Sequence, residues 1–308
     1  MSVIYPRIAI IGCGLIGGSI ARAAKAVGAA GDVVLFDASP EVRARVREIG
    51  FGDRVTDTAA EAVSDADLVI IATPVLTIGA VTREIADHLK PGATLSDVGS
   101  VKHAAAQAMS GHAPEDVFVV PAHPIAGTEH SGPDAGFAEL FRNRWTLITP
   151  SEARKDDAAY QTAVTTLVAF WEALGANVEL MDERRHDLVL AVTSHLPHLI
   201  AYTIVGSAND LENVTESEVM KFSAGGFRDF TRIAASDPTM WRDVFLTNKE
   251  AVLEMLGRFT EDLQTLSRAI RWGEGDKLHE HFTRTRALRR GLIELGQESA
   301  EPNFGRKN

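Results

Sequence analysis

A chain of 308 residues, of which 45% are hydrophobic and 24% charged, has the composition of a folded globular protein, and its length predicts about two domains. The formal net charge of −11, with no basic cluster, argues against nucleic acid and anionic membranes as partners. The single cysteine, Cys13, and an N-terminus without signal-peptide features predict a cytoplasmic protein.

Residues 1–181 alternate short apolar segments with helical patterns. The apolar segments are RIAII, DVVLF, LVIIA, TLSDV, VFVVPA and WTLIT, and the strand-like NVELM at 177–181 follows a helical pattern at 154–174. Because most are apolar throughout rather than at every second residue, they predict parallel strands covered on both faces. The pattern predicts an α/β fold, with an N-terminal Rossmann-type doubly wound, mostly parallel sheet.

The segment 12-GCGLIGGS-19 lies between the first predicted strand and the first predicted helix. In this G-x-G-x-x-G pattern, Gly12 permits a tight turn, Gly14 lets the backbone approach a pyrophosphate, and Gly17 brings helix and strand together. Cys13 is interpreted as a small residue in this crowded turn. A glycine-rich turn without a dinucleotide is the alternative.

Asp37 closes the second predicted strand, 20 residues beyond Gly17. A carboxylate there accepts hydrogen bonds from a ribose 2′-hydroxyl and repels a 2′-phosphate, so NAD is favoured over NADP. The predicted cofactor-binding residues are Gly12, Gly14, Leu15, Ile16, Gly17, Asp37, Thr73 and Pro74.

Several predicted strands end in chemically useful residues, at Gly12, Thr73-Pro74, Ser100 and His123. In an open parallel sheet, ligands bind outside the carboxyl ends of the strands, so these ends are expected at one edge. A neutral imidazole at His123 would take a proton from a substrate hydroxyl while hydride leaves the same carbon for the nicotinamide. Ser100 is expected to reach this histidine from the neighbouring loop.

Structural alternatives exist for these residues. His123 would otherwise hydrogen-bond a turn. Ser100 would otherwise cap the helix that begins in GSVKHAAAQAM, and both roles are compatible. Lys102 and His103 are expected to be solvated residues of its first turn.

Beyond Met181 the strand signals stop, and residues 182–296 predict an all-helical second domain, followed by a disordered tail at 297–308. The apolar segment 187–208 is interrupted by Ser194, His195, Pro197 and His198, so it predicts a helix buried on most sides rather than a membrane span.

Two groups of polar residues lie in this helical half. His195 and His198 share a helix face near a bend expected at Pro197; a metal site is disfavoured because ligand partners are missing at suitable spacing, and one of the two is expected to be structural. Arginines among aromatic residues suit the capture of a carboxylate, or pair with Asp229, Asp237 and Asp243 inside the fold. These arginines are Arg228, Arg232 and Arg242.

Five segments together resemble one known family, the prephenate and arogenate dehydrogenases, which are NAD(P)-dependent enzymes of tyrosine biosynthesis. The segments are GCGLIGGS, DVGSVK at 97–102, HPIAGTE at 123–129, SHLPH at 194–198 and GGFRDFTRIAASDPTMWRD at 225–243. They occur in family order and span nearly the whole chain. The resemblance implies NAD-dependent oxidative decarboxylation of prephenate, of arogenate, or of both.

The resemblance also implies roles for individual residues. His123 would accept the proton of the substrate's ring hydroxyl as the catalytic base, Ser100 would support that histidine and the hydroxyl, and Arg232 would bind a substrate carboxylate. His198 would line the substrate pocket, and Glu129 would gate the site or pair across it. Less specific matches are Trp241, a pocket aromatic, and Arg228, where relatives carry lysine.

A homodimer built on the helical domain is a further implication of the resemblance. The apolar segment 187–208 agrees, because a helix that is apolar nearly all round needs more cover than one small domain provides. Two other functions compete with this assignment. A 3-hydroxyacid-type dehydrogenase shares the domain plan but commonly uses a lysine from the helical half, whereas a non-catalytic NAD-sensing protein would have no reason to keep His123, Ser100 and Arg232 together.

Overall fold

The computed structural model describes residues 3–128, 130–215 and 220–294. The chain divides into two compact units between Val252 and Leu253. The first unit contains both β-sheets and every predicted site residue that the structure describes.

The larger sheet has six parallel strands in the order β3-β2-β1-β4-β5-β6. This is the doubly wound order in which the carboxyl ends of β1 and β4 meet at the centre of the sheet. The predicted fold class is confirmed. The strands are β1 (Tyr5–Ile11), β2 (Ala30–Phe36), β3 (Arg54–Val55), β4 (Leu68–Ile71), β5 (Thr94–Asp97) and β6 (Phe118–Val119).

The predicted strand VFVVPA proves to be two strands in two sheets. Its first part is β6, and its last part begins β7 (Ala122–Pro124), which pairs antiparallel with β8 (Trp145–Ile148). Pro121 lies between them, and its carbonyl accepts the amide of Thr149, just beyond β8. The strand β9 (Asn177–Leu180) lies parallel to β8 and completes a three-stranded sheet. His123 therefore lies in the second sheet, not at the end of a strand of the first.

Helices cover both faces of the larger sheet, as continuous burial of its strands requires. Side-chain caps fix several of their starts: Ser39 accepts from the amide of Val42, and Asp157 accepts from the amides of Ala159 and Tyr160. The helices are α1 (Leu15–Val27), α2 (Pro40–Ile49), α3 (Ala59–Val63), α4 (Ile78–Ile85), α5 (Lys102–Ser110) and α6 (Ala158–Ala173).

The helical half starts with α7 (Glu183–Leu190), which Asp182 caps through the amides of Arg184 and Arg185. A π-helical turn, Ala191–His195, leads into α8 (Leu196–Thr215). The irregularity lies just before Pro197, which cannot donate to the carbonyl one turn earlier. Further helices are α9 (Gly225–Thr231), α10 (Pro238–Thr247), α11 (Lys249–Arg271) and α12 (Gly275–Glu294).

The prediction that segment 187–208 is buried on most sides is wrong for the single chain. Only 28% of its most apolar stretch is buried, and large apolar side chains such as Leu188 (42% exposed) and Val192 (47%) face outward. By length and composition, residues 183–211 form the one helical run in the described ranges that could cross a membrane. Its buried polar groups, His186, Asp187 and His195, are instead held by hydrogen bonds within the first unit.

Candidate active site

The glycine-rich turn follows β1 directly and has the geometry that the motif predicts. Gly12 has a φ of +103°, and a Cβ there would lie 2.5 Å from the carbonyl oxygen of Ala72, after β4. A Cβ on Gly17 would lie 2.0 Å from the carbonyl oxygen of Gly12. Only glycine fits these two positions, which bring β1, β4 and α1 together at the sheet's switch point.

The same turn fits a dinucleotide. A Cβ on Gly14 would meet nothing within 4 Å, and the start of α1 has no side-chain cap, so its amides can receive a pyrophosphate. The Asp37 carboxylate is fixed at the end of β2 by the amides of Cys13 (2.8 Å) and Ser39 (3.0 Å). Around this turn, the partly or fully exposed predicted residues are Gly14, Leu15, Ile16, Asp37, Thr73 and Pro74.

His123 lies in the middle of β7 and is 8% exposed. Its Nδ1 is 2.9 Å from Nε2 of His186 on α7, and Nδ1 of His186 is 2.8 Å from Oδ1 of Asp187. No partner of the His123 Nε2 is found among the described residues. His186 and Asp187 are not among the predicted site residues, because the sequence around them indicates only the start of a helix.

Burial sets the protonation state of this pair. It lowers the pKa of His123 well below 6.5, and the neighbouring His186 and Lys102 lower that pKa further. Burial also lowers the pKa of His186, although Asp187 opposes the shift. Both imidazoles are therefore neutral at pH 7, which is the state in which His123 can accept a proton.

The alternative role of Ser100, as the cap of α5, is wrong. Val101, not Ser100, holds the N-cap position, with no side-chain cap. Asp187 supplies the acceptors from α7 instead, its Oδ1 taking the amide of Lys102 (2.7 Å) and its Oδ2 that of His103 (3.0 Å). Within the described chain, no hydrogen bond joins the Ser100 hydroxyl to His123.

The expectation that Lys102 is solvated is also wrong. Its side chain is 0% exposed, and its Nζ donates to Asp97 (2.5 Å) and to the carbonyl of Ala122 (2.6 Å). Burial lowers its pKa, and the charge of Asp97 opposes this shift. His103, by contrast, keeps a partly exposed side chain, 2.8 Å from Glu183. Lys102 thus places a positive charge beside the strand that carries His123.

A second group of rings lies next to this network. His198 stacks on Trp241 with ring centroids 3.7 Å apart, and His195 contacts the edge of Trp241. The side-chain amide of Asn248 contacts the His195 Nδ1 (3.1 Å) and donates to the carbonyl of Asp187 (2.9 Å). His195 is fully buried, so it has the structural character expected of one of the pair, whereas His198 is partly exposed.

The arginines differ in their surroundings. Arg242 pairs with Asp243 (2.7 Å), which was the structural alternative for it. Arg232 is exposed after α9. Burial lowers the pKa of His198, and the charge of Arg232 lowers it further. Arg228 is exposed on α9. Glu129, the predicted gate, lies outside the described residues.

The buried histidines make the fold sensitive to acid. Burial lowers the pKa of His195 to about 4, and those of His123 and His186 are lowered as well. Below pH 6.5 the unfolded chain binds more protons, so the free energy of unfolding falls as the pH decreases towards these values. His195 alone accounts for a loss of about 2 kcal/mol by pH 5. Urea denaturation at pH 7.5 and pH 5 measures this loss, and equal stability at both would contradict it.

Comparisons with known proteins give the same family for both halves of the chain. Residues 20–180 match the family model described as "Prephenate dehydrogenase, nucleotide-binding domain", and residues 182–284 match "Prephenate dehydrogenase, dimerization domain". The chain is 43% identical over 289 residues to a cyclohexadienyl dehydrogenase of Zymomonas mobilis, covering 94% of this chain and 97% of that protein. It is 33% identical over 305 residues to a prephenate dehydrogenase of Bacillus subtilis, covering 99% and 80%.

A solved structure shows the same likeness in three dimensions. The crystal structure of prephenate dehydrogenase from Aquifex aeolicus in complex with hydroxyphenyl propionate and NAD+ has a TM-score of 0.85 to this chain, at 31% identity. The similarity covers 93% of this chain and 98% of that one. Both halves of the chain, and therefore both sides of the predicted site, are included.

Proposed function

Because the chain belongs to the prephenate dehydrogenase family, we propose that His123 is the proton acceptor in an NAD-dependent oxidative decarboxylation of prephenate, of arogenate, or of both. The observation that carries the assignment is a buried, neutral imidazole on β7, whose Nε2 has no partner in the described chain. The family and NAD as cofactor rest on the comparisons, whereas the residue roles are our proposal.

The chemistry assigns a task to each residue. Bound NAD supplies the acceptor for the hydride that leaves the ring carbon carrying the hydroxyl. Nε2 of His123 takes the hydroxyl proton, and the ring then loses its carboxylate as CO₂ and becomes aromatic. The protonated His123 can return its proton to the phenolate oxygen. A placed base of this kind contributes about 10²–10⁴ in rate, and aromatisation makes the reaction effectively irreversible.

Absorbance of NADH with purified protein tests the function. We expect NADH to accumulate with prephenate or with arogenate, and more efficiently with NAD than with NADP because Asp37 closes β2. A 3-hydroxyacid substrate serves as the comparison. Turnover of that substrate alone would contradict the proposal in favour of a 3-hydroxyacid-type dehydrogenase, and NAD binding without turnover of any of them would favour a sensor.

Arg232 is the candidate for holding a substrate carboxylate. Its charge lowers the pKa of His198, which stacks on Trp241 and is proposed to line the pocket. A hydrogen bond to a charged group contributes about 1.5–3 kcal/mol. Arg232→Ala is therefore expected to raise KM for the substrate about 10- to 100-fold with a smaller change in kcat.

Steady-state kinetics with varied substrate measure this change, and Arg47→Ala is the matched control. Arg47 forms an exposed pair with Asp57 on the nucleotide-binding half, so its loss should leave KM for the substrate near the wild-type value. An unchanged KM in Arg232→Ala would mean that another residue holds the carboxylate.

The domain division and assembly follow from the same proposal. A boundary near residue 181 agrees with β9 as the last strand of the described chain and with family matches that meet at residues 180 and 182. The exposed apolar residues of α7, of the π-helical turn and of α8, including Leu188, Val192 and Ile204, support a homodimer through the helical half. A cytoplasmic location agrees with the single, buried Cys13.

A further inference from the structure

One carboxylate, that of Asp187, is connected to both residues proposed for the proton transfer. Its Oδ1 is 2.8 Å from Nδ1 of His186, whose Nε2 contacts His123. The same carboxylate accepts the amides of Lys102 and His103, which begin α5 just beyond Ser100. The loop with Ser100 and the strand with His123 thus depend on one residue of α7.

The chain of contacts determines where the protons lie. A carboxylate only accepts hydrogen bonds, so Nδ1 of His186 must carry a proton and donate to Asp187. The Nε2 of a neutral His186 then has only a lone pair, and Nδ1 of His123 must donate to it. A neutral His123 has one ring proton, so its Nε2 is left as the proton acceptor.

We propose that Asp187 is a positioning residue, which holds His123 in the tautomer with a basic Nε2 by way of His186. It also anchors the start of α5 behind Ser100. The inference rests on the proposed role of His123 and adds the group that prepares it for proton transfer. In a Ser-His-Asp triad, loss of the correct imidazole tautomer lowers kcat about 10⁴-fold.

The surroundings of Asp187 fit a fixed support. Its side chain is 9% exposed, and its carbonyl accepts from Asn248 at the end of α10 (2.9 Å). Hydrogen bonds therefore hold both its carboxylate and its backbone. Asn248 also contacts His195, which is not part of the path of hydrogen bonds from Asp187 to His123.

The direct test is the ring-nitrogen ¹⁵N spectrum of the wild-type protein labelled at histidine, with the His123 signals assigned by comparison with His123→Asn. We expect His123 to carry its proton on Nδ1 at pH 8. A proton on Nε2 in the folded wild-type protein would overturn the proposal. This measurement needs no variant at Asp187, so it stands even where such a variant folds poorly.

The kinetic test is Asp187→Ala, which removes the acceptor of His186. We expect kcat to fall about 100-fold, KM for NAD to change less than about threefold, and the His123 ring to lose its single tautomer. Glu183→Ala is the matched control, because Glu183 lies one turn before Asp187 on α7 and contacts His103 without reaching His123. Wild-type kcat in Asp187→Ala, or a lowered kcat with the tautomer of His123 retained, would overturn the proposal.

The test separates this inference from the proposed function. The tautomer of His123 is read from the spectrum whether or not His123 proves to be the base. Normal kcat in His123→Asn would end the proposed role of His123, whereas wild-type kcat in Asp187→Ala, with kcat still lost in His123→Asn, would end the role of Asp187 alone.

Discussion

His123→Asn is expected to lower kcat by about 10²–10⁴, the contribution of a placed general base, with substrate and NAD binding largely retained. The wild-type imidazole is neutral at pH 7 because burial lowers its pKa well below 6.5. Activity of the wild type should therefore persist below pH 6.5 and fall only when a proton binds Nε2. Steady-state kinetics of both proteins between pH 5 and 8 measure the two effects.

His88→Asn provides the control for this substitution. His88 is exposed after α4, so the same change of side chain should leave kcat unaltered. If His123→Asn kept the wild-type kcat, the proton would have to leave by another route. An acid limb centred at pH 6.5 or above in the wild type would show that burial does not govern His123 as its surroundings in β7 predict.

The cofactor half of the site could be predicted because its residues act locally. Gly12 and Gly17 are required by backbone geometry at one turn, and the carboxylate of Asp37 follows the adjacent strand. Strand order brings such residues together without any knowledge of side-chain packing. The same reasoning predicts His123 near the cofactor, although β7, which carries it, belongs to the second sheet.

The support of His123 could not be predicted, because it depends on contacts between distant segments. Asp187 lies 64 residues beyond His123, and its sequence surroundings indicate only the start of a helix. Ser100 looked like a cap, yet the acceptor for α5 comes from α7. A lysine in a first helical turn is ordinarily solvated, and the burial of Lys102 becomes reasonable only once Asp97 is known to face it.

Lys102→Met is expected to lower the free energy of unfolding by about 3–5 kcal/mol, as when one partner of a buried ion pair is removed. Asp97 would remain fully buried, with the amides of Gly99 (2.8 Å) and Ala122 (3.3 Å) but no positive charge. The carbonyl of Ala122 would lose its donor from Nζ. Urea denaturation followed by circular dichroism measures the loss, and Lys155→Met, at an exposed pair with Glu152, should leave the midpoint nearly unchanged.

A second variant separates the charge from the packing of Lys102. In Lys102→Met combined with Asp97→Asn, neither charge of this pair stays buried, and the asparagine oxygen can still accept a backbone amide. Because the cost of a broken buried pair comes mainly from the charge left behind, more than half of the lost stability should return. If the double variant did not regain stability, the loss would come from the Ala122 carbonyl, next to His123, which has no donor in either variant. Lys102 would then support β7, the strand that carries His123, through its hydrogen bond to Ala122 rather than through its pairing with Asp97.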